Sequence, residues 1–170
     1  MTPELARRLE DPGYTPPVSA LGALLAELES ADDARTELLS RVAARAGVAA
    51  GVLALERLDG APARLRERLL AVVGRVAAPA HTGVLLQPLL AAAQDPEPRC
   101  RRTAFRALGQ LGDERAEAVL LEALGREALP EQRAIVESLG KLGGPTSRAK
   151  LRSLHTSDAE LARRAGKALA

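Results

Sequence analysis

Apolar residues recur along the chain at the spacing of one helix face. Between Arg115 and Gly125, Ala116, Val119, Leu120 and Leu124 fall at i, i+3, i+4 and i+8, a stripe that only a helix gathers on one side. The same period, read from end to end, predicts helices over 3–10, 18–30, 33–45, 48–58, 62–77, 84–94, 98–111, 115–126, 130–142, 146–154 and 158–170. Local punctuation agrees. Pro62 and Pro130 suit a first helical turn, where a missing N–H costs nothing. Gly60 ends one segment, and Gly112 and Gly143 stand where a left-handed C-terminal cap is wanted, with Pro145 just beyond. Ser157-Asp158-Ala159-Glu160 reads as a capping box. Pro88 is out of place and must lie in a first turn or kink its helix. The stretch Asp11-Pro12-Gly13-Tyr14-Thr15-Pro16-Pro17 is a linker, which makes residues 1–17 a loosely attached cap helix with its Pro-rich tether and residues 18–170 the main domain.

The chain also repeats itself. Cys100 to Gly112 contains Leu108-Gly109-Gln110-Leu111-Gly112, and Gln132 to Gly143 contains Leu139-Gly140-Lys141-Leu142-Gly143. Leu65 to Val76 has the same shape with Val73 in place of Leu108, Ala34 to Val42 is a weaker copy, and Leu161 to Ala170 a truncated fifth. A second apolar-periodic segment follows each full copy. The unit is therefore helix, tight turn, helix, and since neither helix buries its stripe alone, successive units must stack. The fold class expected is all-α, an α-solenoid of about five such repeats. Leu108, Leu111, Leu120, Leu124, Leu139 and Leu142 are its expected core. The last copy has one helix only, so the expectations include an N-terminal module of a longer protein.

The stretch Asp95-Pro96-Glu97-Pro98-Arg99-Cys100-Arg101-Arg102-Thr103-Ala104-Phe105-Arg106-Ala107-Leu108-Gly109-Gln110-Leu111-Gly112-Asp113 resembles the short bacterial HEAT-like repeat found in phycobilisome lyase-type proteins and bacterial scaffolds. The resemblance implies helix pairs wound into a right-handed superhelix whose second helices line a concave face. It also implies that Cys100, at the family's Val position, is a small buried thiol, and that Arg101 and Arg66 tie neighbouring repeats to an acidic side chain or a backbone carbonyl.

Composition narrows the function more than it names it. Ala, Leu and Arg number 34, 30 and 21 of 170 residues, with one Phe, one Tyr and no Trp, which excludes an all-β fold. A single cysteine excludes a disulfide scaffold and a thiolate zinc site. No apolar run approaches a membrane span, and Met1-Thr2-Pro3-Glu4-Leu5 lacks a signal peptide's layout. The localisation expected is cytoplasmic, with no membrane partner. The net charge of +2 is uneven. Residues 1–98 hold 10 basic and 13 acidic side chains, residues 99–170 hold 14 and 9. Arg outnumbers Lys by 21 to 3, a mark of GC-rich coding as much as of phosphate contact.

The catalytic inventory is thin. His81 and His155 stand far apart without metal-spaced partners and suit a surface turn and a helix end. Lys141-Leu142-Gly143-Gly144-Pro145 lacks the order of a phosphate loop. Carboxylate pairs such as Asp32-Asp33 precede helices, where negative charge is favourable anyway. No enzyme, catalytic residue, cofactor or metal is therefore expected. The function expected is a non-catalytic scaffold module for a protein or peptide partner, or for a further domain of the same chain. Two alternatives stay open. One is a nucleic-acid-contacting module of a nucleic-acid-modifying enzyme. The other is a HEAT-like lyase or glycosylase, although the scarcity of aromatics argues against base handling. The binding residues expected are Arg126, Arg148, Lys150 and Arg152 on probable second helices, whose charge would suit an acidic partner. The uncharged segment Val84–Ala93 is expected to be buried on both sides.

Overall fold

The computed structural model describes residues 3–154 and 156–170. Every regular element among them is helical, the helix-turn-helix α-solenoid class that the repeats predict. The chain divides into two compact units, Met1–Val76 and Ala77–Ala170. The boundary falls inside the repeat that the sequence pairs over 62–94.

The first unit holds α1 (Pro3–Leu9), α2 (Val18–Glu27), α3 (Asp33–Ala44), α4 (Val48–Leu55) and α5 (Ala63–Val76). The apolar stripes of α2 through α5 meet in a core that includes Leu21, Leu24, Leu25, Leu39, Val42, Leu69, Leu70, Val72 and Val73, all within 1% of complete burial. Asp32 starts α3 by accepting the Arg35 N–H at 2.7 Å, which satisfies one of the amides that a helix start leaves open. Arg68 of α5 is 6% exposed. It donates to the carbonyls of Leu28 and Ala31, the latter at 2.7 Å, and so fastens α5 to the turn between α2 and α3. Arg66, a second arginine for which the family resemblance implies a tie, donates to the backbone carbonyl of Ala61 at 2.7 Å. The cap helix is not loose: Leu9 is buried, and Arg45 at the end of α3 donates to the Tyr14 carbonyl of the linker at 2.9 Å.

In the second unit a 3-10 turn, Pro79–His81, leads into α6 (Thr82–Ala92), α7 (Pro98–Leu111), α8 (Ala116–Arg126), α9 (Leu129–Leu142), α10 (Pro145–Arg152) and α11 (Ala159–Leu169). The first helices α7, α9 and α11 pack side by side, and the second helices α6, α8 and α10 form the other layer. Between them lie Cys100, Phe105, Leu108, Leu111, Leu120, Leu124, Ile135, Val136 and Leu139, all buried. Gly112 and Gly143 close α7 and α9 at φ 72° and 65°, a conformation strained for any residue with a Cβ. Their N–H groups return to the carbonyls of Leu108 and Leu139.

Some further expectations change on the structure. Leu142 is only half-buried, because it ends α9, where the stripe runs out toward solvent. Ser157 does not cap α11. Asp158 does, accepting the Leu161 N–H at 2.6 Å, and Glu160 is left to pair with arginines. Pro88, expected in a first turn or at a kink, sits inside α6 beyond the first turn, where a proline nitrogen cannot donate to the Val84 carbonyl. Finally, the Val84–Ala93 segment is covered on one side only. Leu85, Leu86, Leu89, Ala92 and Ala93 are buried, while Val84 is 52% exposed and Gln87 and Ala91 face solvent. Residues 84, 87 and 91 share the face of α6 that looks away from the core.

Candidate functional site

Several charged groups of the second unit join one repeat to the next. The Arg101 guanidinium of α7 forms a two-pronged pair with Glu127, ahead of α9, at 2.9 and 2.7 Å, and its remaining nitrogen donates to the carbonyls of Asp95 and Pro96. Glu127 is nearly buried, its side chain 6% exposed. The hydrogen bond to Glu127 holds the Arg101 pKa above its ordinary value. Arg102 lies 3.5 Å from the buried Glu131 of α9. One repeat on, Arg133 donates to Asp158 at 2.8 Å, and Glu137 pairs with Arg164 of α11. Glu117 of α8 accepts both the backbone N–H and the hydroxyl of Ser147 at the start of α10, at 2.8 and 2.6 Å. These are stacking bonds between successive repeats.

The expected binding residues separate under this geometry. Arg126, at the end of α8, donates to Glu122 at 3.1 Å and to Gln94 at 2.9 Å, and stands 3.6 Å from Glu127. It braces the repeat rather than standing free. Arg148 folds back on the Gly143 carbonyl at 3.1 Å. Lys150 and Arg152 are exposed on α10, and among the described residues no carboxylate pairs with either. No hydrogen bond or ion pair among the described residues joins Arg126 to the α10 cations.

A second cationic surface escaped the sequence reasoning. An open groove of about 630 Å³ runs between α9 and α11, lined by Glu137, Gly140, Lys141, Arg163, Arg164, Lys167 and Ala168. Its floor is shallow where the helices touch: a Cβ on Gly140 would stand 2.5 Å from that of Ala168. Arg163 and Arg164 are both held by Glu160, at 2.7–2.8 Å. Those bonds, the Arg163 bond first, hold the Glu160 carboxyl down at about 2. The signal was present in the sequence as Arg163, Arg164 and Lys167 one turn apart. It was read only as an incomplete repeat.

Among the described residues no cluster of His, Cys, Asp or Glu is arranged to hold a metal ion. His81 ends the 3-10 turn, half-buried, and His155 lies outside the described residues. Of the two aromatic side chains, Phe105 is fully buried, and Tyr14 lies in the first unit with the Arg8 guanidinium 5.9 Å from its ring. No single helix among the described residues is long and apolar enough to cross a membrane.

Comparison with known proteins agrees with this architecture. The family model for HEAT repeats matches residues 52–131 and again 86–170. No curated protein matches the sequence. Among solved structures, a chain from the complex of CpcE and CpcF of phycocyanin lyase from Nostoc sp. PCC7120 superposes with a TM-score of 0.80 at 19% identity, over 91% of this chain and 100% of that one. An engineered protein superposes with a TM-score of 0.58 at 17% identity, over 98% of this chain and 86% of that one.

Proposed function

From a chain that belongs to the HEAT-repeat family, we propose a non-catalytic scaffold module that binds a protein or peptide partner. The observation that carries this is the division of labour among its side chains. Glu117, Glu127, Glu131, Glu137 and Asp158 are each engaged in holding one repeat to the next. Outward on the second helices stand Val84, Gln87 and Ala91 on α6, Glu122 on α8, and Lys150 and Arg152 on α10. Such faces suit contact with another chain. Arg126 and Arg148 then serve the surface by bracing the helices that carry it. The absence of an aromatic side chain on α8 to α11 leaves single-stranded nucleic acid nothing to stack on.

The test is recovery of a stoichiometric partner from the source cell by the intact chain. The Val84→Glu/Ala91→Glu and Lys150→Glu/Arg152→Glu variants should lose it while keeping their helical circular dichroism. Retention by both variants rules out this layer as the contact face.

A second reading has one observation behind it, the superposition over the whole of a chain from a lyase complex. By that analogy this chain would be a lyase subunit acting together with a second protein. Incubation with phycocyanin, alone and with any partner recovered above, and measurement of visible absorbance decide it: an unchanged spectrum removes the lyase reading.

A further inference from the structure

We infer that the groove between α9 and α11 is a docking site for an extended acidic peptide segment of a partner protein. The inference rests on the scaffold reading and assigns a ligand chemistry to a surface on the opposite layer from α6, α8 and α10. Four cations line the groove. Arg163 and Arg164 are already matched by Glu160 and Glu137, whereas Lys141 and Lys167 have no carboxylate partner among the described residues. These two are the immediate sequence neighbours of Gly140 and Ala168, which touch. Both lysines are exposed and line the groove beside the place where two small residues bring the helices together and keep its floor low. Lys141 and Lys167 also lie in the last turns of their helices, where the outward carbonyls favour a positive charge. They form a pair of cations over a shallow floor.

The length fits a peptide. Eleven residues of α11 at about 1.5 Å each span roughly 16 Å, room for about five residues of extended chain. The charge pattern fits a peptide better than a nucleic acid. Glu137 and Glu160 interrupt the cationic surface, which suits a ligand with spaced carboxylates and opposes an unbroken run of phosphates. No aromatic side chain lines the groove to stack a base.

The experiment uses the purified full chain and two labelled probes at low salt, followed by fluorescence anisotropy. One probe is a peptide of about ten residues alternating Glu and Gly, long enough to run past α11. The other is a single-stranded oligonucleotide of equal charge. The peptide should bind more tightly than the oligonucleotide. Lys141→Glu/Lys167→Glu should weaken it by about tenfold or more, the scale of losing one strong contact. Lys141→Gln/Lys167→Gln should weaken it less, and serves alone if the reversed pair does not fold. Arg99→Glu/Arg106→Glu, the same change of charge on exposed positions of α7, should leave it within about twofold, well under 1 kcal/mol. If the α7 pair weakens binding as much as the groove pair, or if neither does, attraction is diffuse and the groove is not the site, while the scaffold reading stands on its own partner test. A preference for the oligonucleotide, or no peptide binding by the wild-type chain, overturns the proposal.

Discussion

Gly109 of α7 lies so close to Ser138 of α9 that a Cβ on the glycine would stand 2.5 Å from the serine oxygen and 2.7 Å from its Cα. The serine hydroxyl uses this proximity to donate to the Phe105 carbonyl at 2.8 Å. Gly140 and Ala168 repeat the approach between α9 and α11. The two glycines of each Leu-Gly-x-Leu-Gly motif therefore do different work. The first lets the next helix in, and the second turns the chain at positive φ.

Gly109→Ala is expected to destabilise the protein by about 1–3 kcal/mol, because the obstacle includes backbone and neither helix can yield locally. Gly166→Ala is expected to do the opposite. Gly166 sits in the interior of α11 with open space around it, so the substitution should stabilise by about 0.5–1 kcal/mol through helix propensity. Urea denaturation of both variants checks the pair of signs.

Arg101→Met should cost about 3 kcal/mol, since it takes both hydrogen bonds from the nearly buried Glu127 carboxylate and leaves it only Arg126 at 3.6 Å. The double change Arg101→Met/Glu127→Leu should recover most of that loss, because an apolar pair carries no desolvation penalty. A double variant no more stable than the single one would show that the tie contributes more than its own charge compensation.

Helix α11 should weaken in acid. Glu160 is held down at about 2 from an ordinary 4.5 by Arg163 and Arg164, and Asp158 is lowered by the Leu161 N–H and by Arg133. A depressed carboxyl stabilises the folded state above its unfolded pKa, and the contribution is lost as pH falls through the folded one. Helical signal should therefore decline between about pH 4.5 and pH 2, and Glu160→Gln should flatten that decline. Circular dichroism at 222 nm follows it directly.

Leu124→Ala should cost about 2–5 kcal/mol, as for a leucine truncated in a packed core. Leu142→Ala should cost roughly 1 kcal/mol, the scale of partial burial. Equal losses would mean that the end of α9 is packed as tightly as the middle of α8.

This contrast marks where sequence reasoning reaches its limit. Helix positions were legible because their signals are local: Gly112 and Gly143 stop helices, Pro98 and Pro145 start them, and the apolar stripe runs between. The identity of the repeat was legible because Leu108 and Leu139 hold the same place in two copies. The fate of a charge was not. Arg126 and Lys141 look alike along the chain, yet one meets Glu122, Gln94 and Glu127 and the other meets no carboxylate among the described residues. That outcome depends on distances between repeats, which no single copy encodes. Ser157 and Asp158 differ by one position, and only the entry angle of α11 decides which of them caps it.

The Gly109–Ser138 contact also bears on how such a chain can lengthen. The copies at α7 and α9 each present a glycine forward and a small residue backward, for Ala107 occupies in its own copy the place of Ser138 in the next. A tandem duplication of about thirty-one residues would therefore set Gly109 against a new Ala107, and the new Gly109 against Ser138. Both junctions would be closed by residues already suited to them. Gain or loss of a whole copy is then a change the packing tolerates, whereas insertion of a few residues within α7 or α9 would put a bulky side chain at the contact and break the register of every helix beyond it.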